Sequence, residues 1–494
     1  MLIEEIVTRR AKPVEMVPVV EAVELNIGPL EAFVRLSTPG SRSFLLESAE
    51  TGGKSARYSF LGSGATTILI KNGRISFGGS EVEHKGGPIG FLKEFMDSFR
   101  QQTPIYLREE SFNGENPPLP PFSGGLAGFM SYDFVRYVDP IGSTATDDIG
   151  CPDVELLLVE DLVVYDHLRG RKMIIANSRG RDNTSIMAAR ERIRSIKATL
   201  EIPASVPLTP PIDDKPLKVT CPTTKEQFMG MVARGKEYIL DGDAFQIVLS
   251  QRMEVETDVD HVSLYKHLKE INPSPYMYFL EFGDLAIVGS SPEILVKVEN
   301  RKVTVRPIAG TRPRGKSDEE DRRLETEMKA DPKEVAEHIM LVDLGRNDVG
   351  KVSRFGTVVV DDFMGVEKYS HVQHIVSNVV GDLAEGLDTV DALAATFPAG
   401  TVSGAPKTRA MQIIEELEGR RRGLYAGCVG YLSFNGNADL AIAIRTILLK
   451  GGKAYVQAGA GIVMDSVPEN EYIESMNKGA AMIRALESAA GGKR

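Results

Sequence analysis

One segment between residues 201 and 218, EIPASVPLTPPIDDKPLK, restricts the folding of this chain more than any other. It carries five prolines and hardly any periodic apolar pattern. Proline fixes one backbone angle and donates no main-chain hydrogen bond, so such a stretch favours an extended connection over a helix or a central strand. The segment therefore predicts a division of the chain into residues 1–200 and 219–494.

Both parts of the chain combine strand and helix patterns. The first part is rich in strands, with apolar runs in SFLLES, TTILIKNGRISFGG and VELLLVEDLVVYDH, and has helical stretches near 88–100 and 184–200. The second part alternates the two patterns. Its predicted helices are 224–240, 319–346, 405–418 and 469–488. Its predicted strands are 244–252, 276–282, 303–308, 425–434, 440–449 and 454–458.

Composition and charge exclude several classes of protein. The formal net charge is −11 and no basic arm offsets it, which argues against a general nucleic-acid binder. Three scattered cysteines, Cys151, Cys221 and Cys428, are too few for a disulfide framework or a zinc site. The N-terminal MLIEEIVTRR lacks the apolar core of a signal peptide, and no apolar run is long enough to span a membrane. We expect a soluble, cytoplasmic protein.

Asp331 begins a predicted helix with an acidic face. In DPKEVAEHIMLVDLGRND, Asp331 fits the N-cap, Pro332 the first helical position and Glu334 the third. Glu334 is therefore equally well explained as part of a capping box. Glu337 follows on the same face, three residues later, and has no capping role to explain it.

A second predicted helix, in SVPENEYIESMNKGAAMIRAL, repeats this arrangement. Ser466 and Glu469 fit a capping box, which leaves Glu471 and Glu474 as a second pair three residues apart. Lys478 lies four residues beyond Glu474 on the same face. Each helix taken singly is more typical of a solvated charged face. Two carboxylate pairs that face each other would instead offer the oxygen ligands that Mg²⁺ prefers.

Several basic or glycine-rich segments are candidates for holding an anion. Residues 306–315, RPIAGTRPRG, have two prolines, two glycines and three arginines, which predicts a shaped loop. In FPAGTVSGAPKTRAMQIIEEL, glycines surround Thr401 before a predicted helix whose N-terminus favours an anion, although a serine-capped helix is equally consistent. DLAIAIRTILL places small residues and Arg445 on one strand face. QAGAGIV adds Gly459 and Gly461, where a backbone can approach a ligand closely.

Together these segments resemble one family. PIAGTRPRG, DPKEVAEHIMLVDLGRND, AGTVSGAPKTRAMQII, IAIRT, AGAGIV and PENEYIESMNK are similar to motifs of the chorismate-utilising enzymes, most closely of their anthranilate-synthase branch. The likeness spans about 224–480, and LLES and GGLAGFMSYD extend it into the first part. It implies an α/β fold of two stacked β-sheets with helices outside and the active site between them. It also implies that 219–494 is the catalytic region and that 1–200 carries part of a tryptophan feedback site.

The resemblance implies how substrate and metal are bound. Glu337 and Glu474 are expected to hold Mg²⁺, with Glu334 and Glu471 helping directly or through water. The residues implied to bind chorismate are Gly310, Thr311, Thr401, Tyr425, Arg445, Gly459, Gly461 and Lys478.

The resemblance also implies a general acid. Glu293 of SSPEIL is expected to protonate the C4 hydroxyl as it leaves, and His374 of HVQHIV is expected beside it. Without the family, Glu293 is simply a surface carboxylate at a strand end, and His374 is more typical of a packed helix histidine.

Two positions are implied to select the nucleophile and the product. Gln246 stands where the isochorismate and salicylate synthases have a water-activating lysine, so the nucleophile is expected to be ammonia. Ala309 stands where the aminodeoxychorismate synthases have a lysine that attacks C2. The expected products are anthranilate and pyruvate, formed through 2-amino-2-deoxyisochorismate in the first step of tryptophan biosynthesis. The alternatives are an aminodeoxychorismate synthase with a 4-amino product and a non-catalytic sensor of chorismate or tryptophan.

Ammonia requires a source. The segment AGCVG, residues 426–430, differs from the G-x-C-x-G pattern around a glutaminase nucleophile, and too few residues follow it for an amidotransferase domain. We therefore expect a separate glutamine amidotransferase subunit and a hetero-oligomer.

LLES and NPSPYMYF resemble the feedback site of the family for L-tryptophan. The implied effector residues are Leu46, Glu47, Ser48, Asn272, Pro273, Ser274, Pro275, Tyr276 and Met277. Glu47 is expected to receive the amino group of the inhibitor. An acid on an edge strand and a proline-rich turn explain the same residues without a ligand.

Overall fold

The computed structural model describes residues 13–37, 41–48, 57–107, 116–202, 217–368 and 372–491. The strands of the first half are β1 (Val14–Ala22), β2 (Arg42–Glu47), β3 (Tyr58–Gly64), β4 (Thr67–Lys71), β5 (Arg74–Phe77), β6 (Ser80–Val82), β7 (Phe99–Gln101), β8 (Ile105–Leu107), β9 (Gly125–Met130), β10 (Val154–Val159), β11 (Asp161–Asp166) and β12 (Arg171–Arg179). Those of the second half are β13 (Val219–Thr220), β14 (Gln246–Glu256), β15 (Tyr276–Phe282), β16 (Leu285–Ser291), β17 (Ile294–Glu299), β18 (Lys302–Val305), β19 (Ile308–Pro313), β20 (Val359–Lys368), β21 (Val372–Asp382), β22 (Gly404–Ala405), β23 (Cys428–Ser433), β24 (Ala438–Ile442), β25 (Thr446–Lys450) and β26 (Lys453–Ile462).

Helices cover the outer sides of the strands. The described α-helices are α1 (Pro29–Leu36), α2 (Gly87–Asp97), α3 (Asn183–Glu201), α4 (Lys225–Leu240), α5 (His261–Ile271), α6 (Asp318–Ala330), α7 (Pro332–Gly350), α8 (Thr389–Thr396), α9 (Lys407–Glu418) and α10 (Pro468–Ala489). Short 3₁₀ helices occupy Tyr132–Tyr137 and Gly400–Val402. No described helix combines the length and the apolar character that a membrane crossing requires.

The described strands form two large sheets. The first has the order β13-β14-β26-β25-β16-β15-β2-β3-β11-β12-β1-β7, with β22 beside β14 and β8 beside β1. The second has the order β19-β21-β18-β17-β24-β23-β9-β10-β4-β5-β6, with β20 beside β21. Both sheets take strands from both sides of residues 203–216, which lie outside the described residues. The division at 201–218 stays a prediction.

The two sheets stack face to face, because successive residues of a strand point to opposite sides of its sheet and both sides are apolar. One side packs against the other sheet, and the opposite side packs against helices. In β9, Ala127 and Phe129 belong to the cluster between the sheets, whereas Leu126 and Met130 belong to the cluster under the helices. Rings add to the central layer, as where Phe122 stacks on a ring of β23 with centroids 4.5 Å apart. The predicted fold class, two stacked sheets with helices outside, is confirmed.

Three predicted elements were wrong in detail. The single helix predicted at 319–346 is two helices, because Asp331 caps the second one and is itself non-helical. The strand predicted at 440–449 is broken into β24 and β25, which belong to different sheets. The loop predicted at 306–315 contains β19, an edge strand with a register shift between Ala309 and Thr311. Edge strands and bulges tolerate the proline and glycine that suggested a loop.

The predicted starts of two further helices also changed. The helix predicted at 405–418 begins at Lys407 and has no side-chain cap, because Gly404–Ala405 pairs with β14 as a short strand. Helix α10 begins at Pro468 without a capping side chain, so the predicted Ser466–Glu469 capping box is absent. Glu469 pairs instead with Lys225, at 2.5 Å.

Candidate active site

Strand β14 starts at Gln246, which contacts the acidic helix α7. The Gln246 side chain is buried, and its Nε2 donates a 3.0 Å hydrogen bond to Oε1 of Glu337. On the neighbouring strand β26, a Cβ atom at Gly461 would lie only 2.7 Å from that Nε2. A side chain at residue 461 would displace the amide, so this glycine is required for the contact between Gln246 and Glu337.

Lys478 on α10 brings together the next group of predicted site residues. Its Nζ lies 2.6 Å from Oε1 of Glu474 and donates to the carbonyl of Gly459 at 3.1 Å. Nη1 of Arg445 donates to the main-chain carbonyl of Lys478 at 2.7 Å. Two cations and a main-chain strand therefore meet beside one carboxylate of the acidic pair on α10.

Arg445 is held in a partly desolvated position. Burial lowers the pKa of its guanidinium, and the nearby Tyr425, Glu474 and Glu293 offset part of that effect. A guanidinium that has lost water gains more from a bound carboxylate than an exposed one does. The position of Arg445 thus favours an anionic ligand.

Tyr425 lies against Arg445 and the β26 glycines. Burial raises the pKa of its hydroxyl to about 12, and the guanidinium of Arg422, 5.4 Å from its ring centroid, lowers it. A Cβ atom at Gly459 would lie 2.9 Å from the Tyr425 hydroxyl oxygen. The phenol therefore stays protonated at neutral pH and can donate a hydrogen bond beside this strand.

Glu293 is the most perturbed acid of the site. It lies in the short connection between β16 and β17, is buried, and accepts a 2.9 Å hydrogen bond at Oε1 from Oγ1 of Thr401. Burial raises its pKa to about 8, and the Thr401 hydrogen bond and the charges of Lys478 and Arg445 act in the opposite direction. A carboxyl that keeps its proton at neutral pH is suited to act as a general acid. Glu293 is thus a buried acid, not the surface carboxylate that the residue alone suggested.

His374 and Gly310 meet where β19 and β21 pair. Nδ1 of His374 donates to the carbonyl of Gly310 at 2.9 Å and lies 3.1 Å from Oγ1 of Thr311. Burial lowers the pKa of His374, so the ring is neutral at pH 7. His374 lies on strand β21, so its assignment to a helix was wrong. The bulge at Gly310 turns the main-chain carbonyl towards the imidazole.

The four glutamates predicted to bind Mg²⁺ lie near the N-terminal ends of α7 and α10. Glu334 does not form the predicted capping box, since its Oε1 accepts from Nη1 of Arg312 at 2.8 Å. Burial raises the pKa of Glu471, the neighbouring Glu474 raises it further, and Lys333 of α7 lowers it, which puts the two helix starts within electrostatic reach.

The four carboxylates have the chemistry of a magnesium site, although they do not converge on one point. Within the described ranges, no three His, Cys, Asp or Glu side chains converge closely enough to form a metal-binding cluster. Mg²⁺ commonly takes only one or two protein carboxylates and fills its remaining positions with water and substrate oxygens. The glutamates of α7 and α10 offer only oxygen ligands, and one or two of them would be enough for such a Mg²⁺ site.

Two cavities reach the predicted site residues. One, of about 380 Å³, is lined by Glu293, Thr401 and the apolar face of α7 around Leu341 and Leu344. The other, of about 320 Å³, lies between the sheets beside Tyr425. Both cavities are partly open to solvent, and each is lined by a residue predicted to bind the substrate, Thr401 in the first and Tyr425 in the second.

Sequence reasoning missed one pair of residues that supports the site. Arg422 is buried and donates to the carbonyls of Val402 and Val248, both at 2.7 Å, and to Glu418 on α9. It thereby joins the Thr401 loop to β14. Its only sequence signal was the run GRRRG, which is more typical of a solvated turn.

The predicted effector residues also come together. Strands β2 and β15 are neighbours, and Met277 pairs with Glu47. Glu47 Oε1 accepts hydrogen bonds from the Tyr265 hydroxyl at 2.5 Å and from Nζ of Lys269 at 2.6 Å. The Ser48 hydroxyl is buried without a hydrogen-bond partner among the residues described. Buried hydroxyls are usually hydrogen-bonded, so the Ser48 hydroxyl has hydrogen-bonding capacity left for a polar ligand.

Comparison with known proteins identifies the family. The family model described as chorismate binding enzyme matches residues 44–484. This chain belongs to the chorismate binding enzyme family. It is 46% identical to anthranilate synthase component 1 of Acetivibrio thermocellus over 97% of both chains, and 45% identical to that of Aquifex aeolicus over 93% of this chain and 92% of the relative.

A solved structure supports the same conclusion. Anthranilate synthase component I from Streptococcus pneumoniae TIGR4 superposes with a TM-score of 0.77 at 39% identity, covering 93% of this chain and 98% of that one. The predicted resemblance is confirmed, and this member of the chorismate binding enzyme family is an enzyme.

Proposed function

We propose that this chain is the large subunit of an anthranilate synthase, which converts chorismate and ammonia to anthranilate and pyruvate. The observation that carries the proposal is the sequence identity of 45–46%, over 93–97% of this chain, to proteins named anthranilate synthase component 1. The chemistry of the site agrees with it, because a buried protonated acid lies beside cations that suit a dianionic substrate. The predicted cytoplasmic location belongs to the same proposal.

The substrate carboxylates are bound from two sides. Arg445, Lys478 and the Tyr425 hydroxyl, with the main chain of Gly459 and Gly461, hold one carboxylate. Thr311, Thr401 and Gly310 complete the pocket. Mg²⁺, when bound, neutralises the other carboxylate. The residues that hold the metal are Glu337 and Glu474, with Glu334 and Glu471 next to them.

Glu293 supplies the proton for the first step. The nitrogen of ammonia forms a bond to C2, the ring double bonds shift, and the C4–O bond breaks as Glu293 protonates the departing hydroxyl to water. Loss of the C2 proton and cleavage of the C3–O bond then release pyruvate and aromatise the ring. Neutral His374, close to Arg445, is suited to accept a proton in this region.

Two positions of this chain, Gln246 and Ala309, indicate which nucleophile is used, because neither carries an amine. The Gln246 amide is engaged with Glu337 and cannot activate water as a lysine would. Ala309 is a buried residue of β19 opposite Ile375 and carries no nucleophile. Both features favour direct attack by ammonia at C2.

Ammonia is proposed to come from a separate glutamine amidotransferase subunit. Cys428 lies fully buried in β23, and burial raises the pKa of its thiol far above the usual range. A buried thiol of that kind is inert as a nucleophile. The relatives' designation as component 1 agrees with a second component.

The direct test is an assay of the purified chain with chorismate, Mg²⁺ and an ammonium salt at alkaline pH. We expect fluorescent anthranilate and an equal amount of pyruvate, and no reaction with glutamine until an amidotransferase subunit is added. A 4-amino product, isochorismate or salicylate would overturn the proposal. Tight chorismate binding with no product would favour the sensor alternative.

The metal assignment is tested by replacing Glu474 with glutamine. We expect the affinity for Mg²⁺, measured by calorimetry with chorismate present, to fall at least about 100-fold, beyond the 10–100-fold typical of losing an outer-shell partner. Glu469→Gln is the matched control, since Glu469 lies in the first turn of the same helix but pairs with Lys225. An unchanged Mg²⁺ affinity in Glu474→Gln would remove this residue from the metal site.

Feedback inhibition by L-tryptophan is proposed for the pocket around Glu47, Ser48 and Met277. The amino group of tryptophan replaces Lys269 as partner of Glu47, and Ser48 gains the hydrogen bond it lacks. Filling this space with Ser48→Phe should abolish inhibition while leaving turnover intact. Inhibition that persisted in this variant would count against the pocket.

A further inference from the structure

Gln251 is a polar residue in an otherwise apolar row of strand β14. Alternate residues of this strand point towards the covering helices, and the neighbours of Gln251 in that row, Leu249 and Met253, are buried and apolar. Nε2 of Gln251 donates to Oγ of Ser475 on α10 at 2.6 Å, whereas its Oε1 has no hydrogen-bond partner among the described residues. A buried amide with an unpartnered oxygen destabilises a fold, so its presence here points to a role other than stability.

The direction of this hydrogen bond is fixed. The hydroxyl of Ser475 donates its own proton to the carbonyl of Tyr472, at 2.8 Å, so it can only accept from the Gln251 amide. Gln251 is 2% exposed and Ser475 is fully buried, which keeps water from replacing either partner. Gln251 therefore anchors α10 at one residue of the buried face of this helix.

A second contact between the same two elements lies one helical turn further along α10. A Cβ atom at Gly479 would overlap Cε of Met253, so the glycine leaves the space that the methionine fills. Gln251 and Met253 are two residues apart on a strand, which separates them by about 6.7 Å. Their partners on α10 are four residues apart on a helix, which separates them by about 6.0 Å. Because the two spacings nearly match, both contacts form together at one axial position of α10.

The neighbouring face of α10 carries groups of the candidate active site. Glu474 and Lys478 each directly precede one of the two residues that contact β14. Oε1 of Glu474 and Nζ of Lys478 are 2.6 Å apart, and the carbonyl of Lys478 accepts from Nη1 of Arg445. The candidate metal ligand, the ammonium group and the restraint on Arg445 therefore all depend on where α10 lies.

We propose that Gln251 is a positioning residue that fixes the axial position of α10 and thereby sets the affinity of the site for Mg²⁺. Apolar contacts such as that of Met253 with Gly479 have no direction, whereas a hydrogen bond is effective over a narrow range of distance and angle. Loss of the amide therefore lets α10 slide, and a site held about 1 Å too loosely binds its ligand weakly. This inference rests on the proposed function in taking Mg²⁺ as the ligand of Glu474.

Replacing Gln251 with methionine separates positioning from stability. Gln251→Met keeps the length of the side chain and removes the half-satisfied amide, so the melting temperature should equal or exceed that of the wild type. The dissociation constant for Mg²⁺, measured by calorimetry with chorismate present and ammonia absent, should nevertheless rise about tenfold. That is the lower limit of the loss expected when a residue that orients a metal ligand is removed. A residue with only a structural role would change affinity and melting temperature in the same direction.

Ser475→Ala and the double replacement complete a mutant cycle. Ser475→Ala leaves the whole buried amide of Gln251 without a partner, so the melting temperature should fall and Mg²⁺ should again bind about tenfold more weakly. The double variant should bind Mg²⁺ no more weakly than either single one, because both changes break the same hydrogen bond. Its melting temperature should return at least to that of the wild type. An Mg²⁺ affinity that follows the melting temperature, or that is unchanged in Gln251→Met, would overturn the inference.

Gln373→Met is the matched control. Gln373 is a buried glutamine of β21 whose Nε2 donates to the carbonyl of Asp321 on α6 at 3.3 Å and whose Oε1 likewise has no partner in the described part of the chain. Its replacement should leave the Mg²⁺ affinity unchanged, and a tenfold loss there would overturn the inference. If Gln251→Met fails to fold, Gly479→Ala decides, because it displaces α10 through Met253 and should weaken Mg²⁺ binding about tenfold. Unchanged affinity in that variant would overturn the inference.

The proposed function and this inference fail separately. A wild-type chain that binds Mg²⁺ and shows the non-additive cycle but forms no anthranilate would overturn the proposed function alone. A chain that forms anthranilate, and whose Gln251→Met variant keeps the wild-type affinity for Mg²⁺, would overturn the role of Gln251 alone.

Discussion

At the scale of single residues, the surroundings of Glu293 determine its chemistry. An exposed glutamate is charged at neutral pH, whereas burial keeps this carboxyl protonated up to about pH 8. Thr401 donates to Oε1, which leaves Oε2 to carry the proton. The acid is therefore both protonated and oriented before substrate arrives.

The pH dependence of turnover should report this carboxyl. Because its pKa is raised from 4.5 to about 8, the proton it must donate is lost as the pH rises through about 8. We expect kcat/KM for chorismate, measured at constant free ammonia from about pH 6.5 to about pH 9.5, to fall tenfold per pH unit above that pKa. Holding free ammonia constant removes the opposite effect of ammonium deprotonation.

Two variants check the assignment. Thr401→Val removes a hydrogen bond that lowers the Glu293 pKa, so the alkaline decline should move to higher pH. Glu293→Gln should lose at least about 100-fold in kcat. Between pH 4.5 and about 8 the Glu293 carboxyl is protonated in the folded chain and ionised in the unfolded chain. The free energy of unfolding of the wild type therefore falls as the pH rises through this range. Glu293→Gln lacks this titration, so its melting temperature relative to wild type should be higher at alkaline pH. An alkaline decline that stays in place in Thr401→Val would show that another group controls it.

At the scale of elements, β19 shows how an edge strand can serve a site. Its bulge puts Gly310 at φ of +65°, and the carbonyl of this residue receives the His374 hydrogen bond. A Cβ atom at Gly310 would lie 3.3 Å from both Oε2 of Glu334 and a methyl group of Ile375. The glycine thus serves both the backbone conformation and the space beside an acidic residue of α7.

Replacing Gly310 with alanine should impair both stability and activity. The positive φ costs about 1–2 kcal/mol of unfolding free energy, and displacement of Glu334 should lower kcat/KM about tenfold or more. Thermal unfolding and the anthranilate assay measure the two effects.

The control variant Gly283→Ala separates the effect of backbone strain from the effect of displacing Glu334. Gly283 has φ of +72° and no heavy atom near the position of a Cβ, so it bears the backbone cost alone. It should unfold more easily and keep its activity. Equal activity losses in the two variants would mean that backbone strain, and not the contact with Glu334, explains the result.

At the scale of the whole molecule, each sheet is assembled from both parts of the chain. In the first sheet β15 pairs with β2, and in the second β23 pairs with β9. The apolar layer between the sheets contains residues from all four of these strands. Residues 219–494 alone would leave two strand edges and part of this layer open to water.

A chain divided within residues 203–216 should therefore behave as one folding unit. We expect the second fragment alone to aggregate or to lack a cooperative thermal transition, and co-expression of both fragments to restore a complex that makes anthranilate. Size-exclusion chromatography and differential scanning calorimetry are the measurements. A second fragment that is monomeric and unfolds cooperatively by itself would show that the catalytic region is independent.

The amino-acid sequence by itself determined the family, the fold class and the types of residue in the site. Ordered local motifs and alternating apolar positions are properties of neighbouring residues, so they can be recognised in the sequence without a structure. Only the tertiary structure decided where β24 gives way to β25, because Arg445 is held in its turn by Ser290 from a distant strand. It also decided that Glu293 is buried, that residues 308–313 form a strand and that Arg422 supports the site. These features depend on desolvation and on partners far away in sequence, which no local pattern specifies.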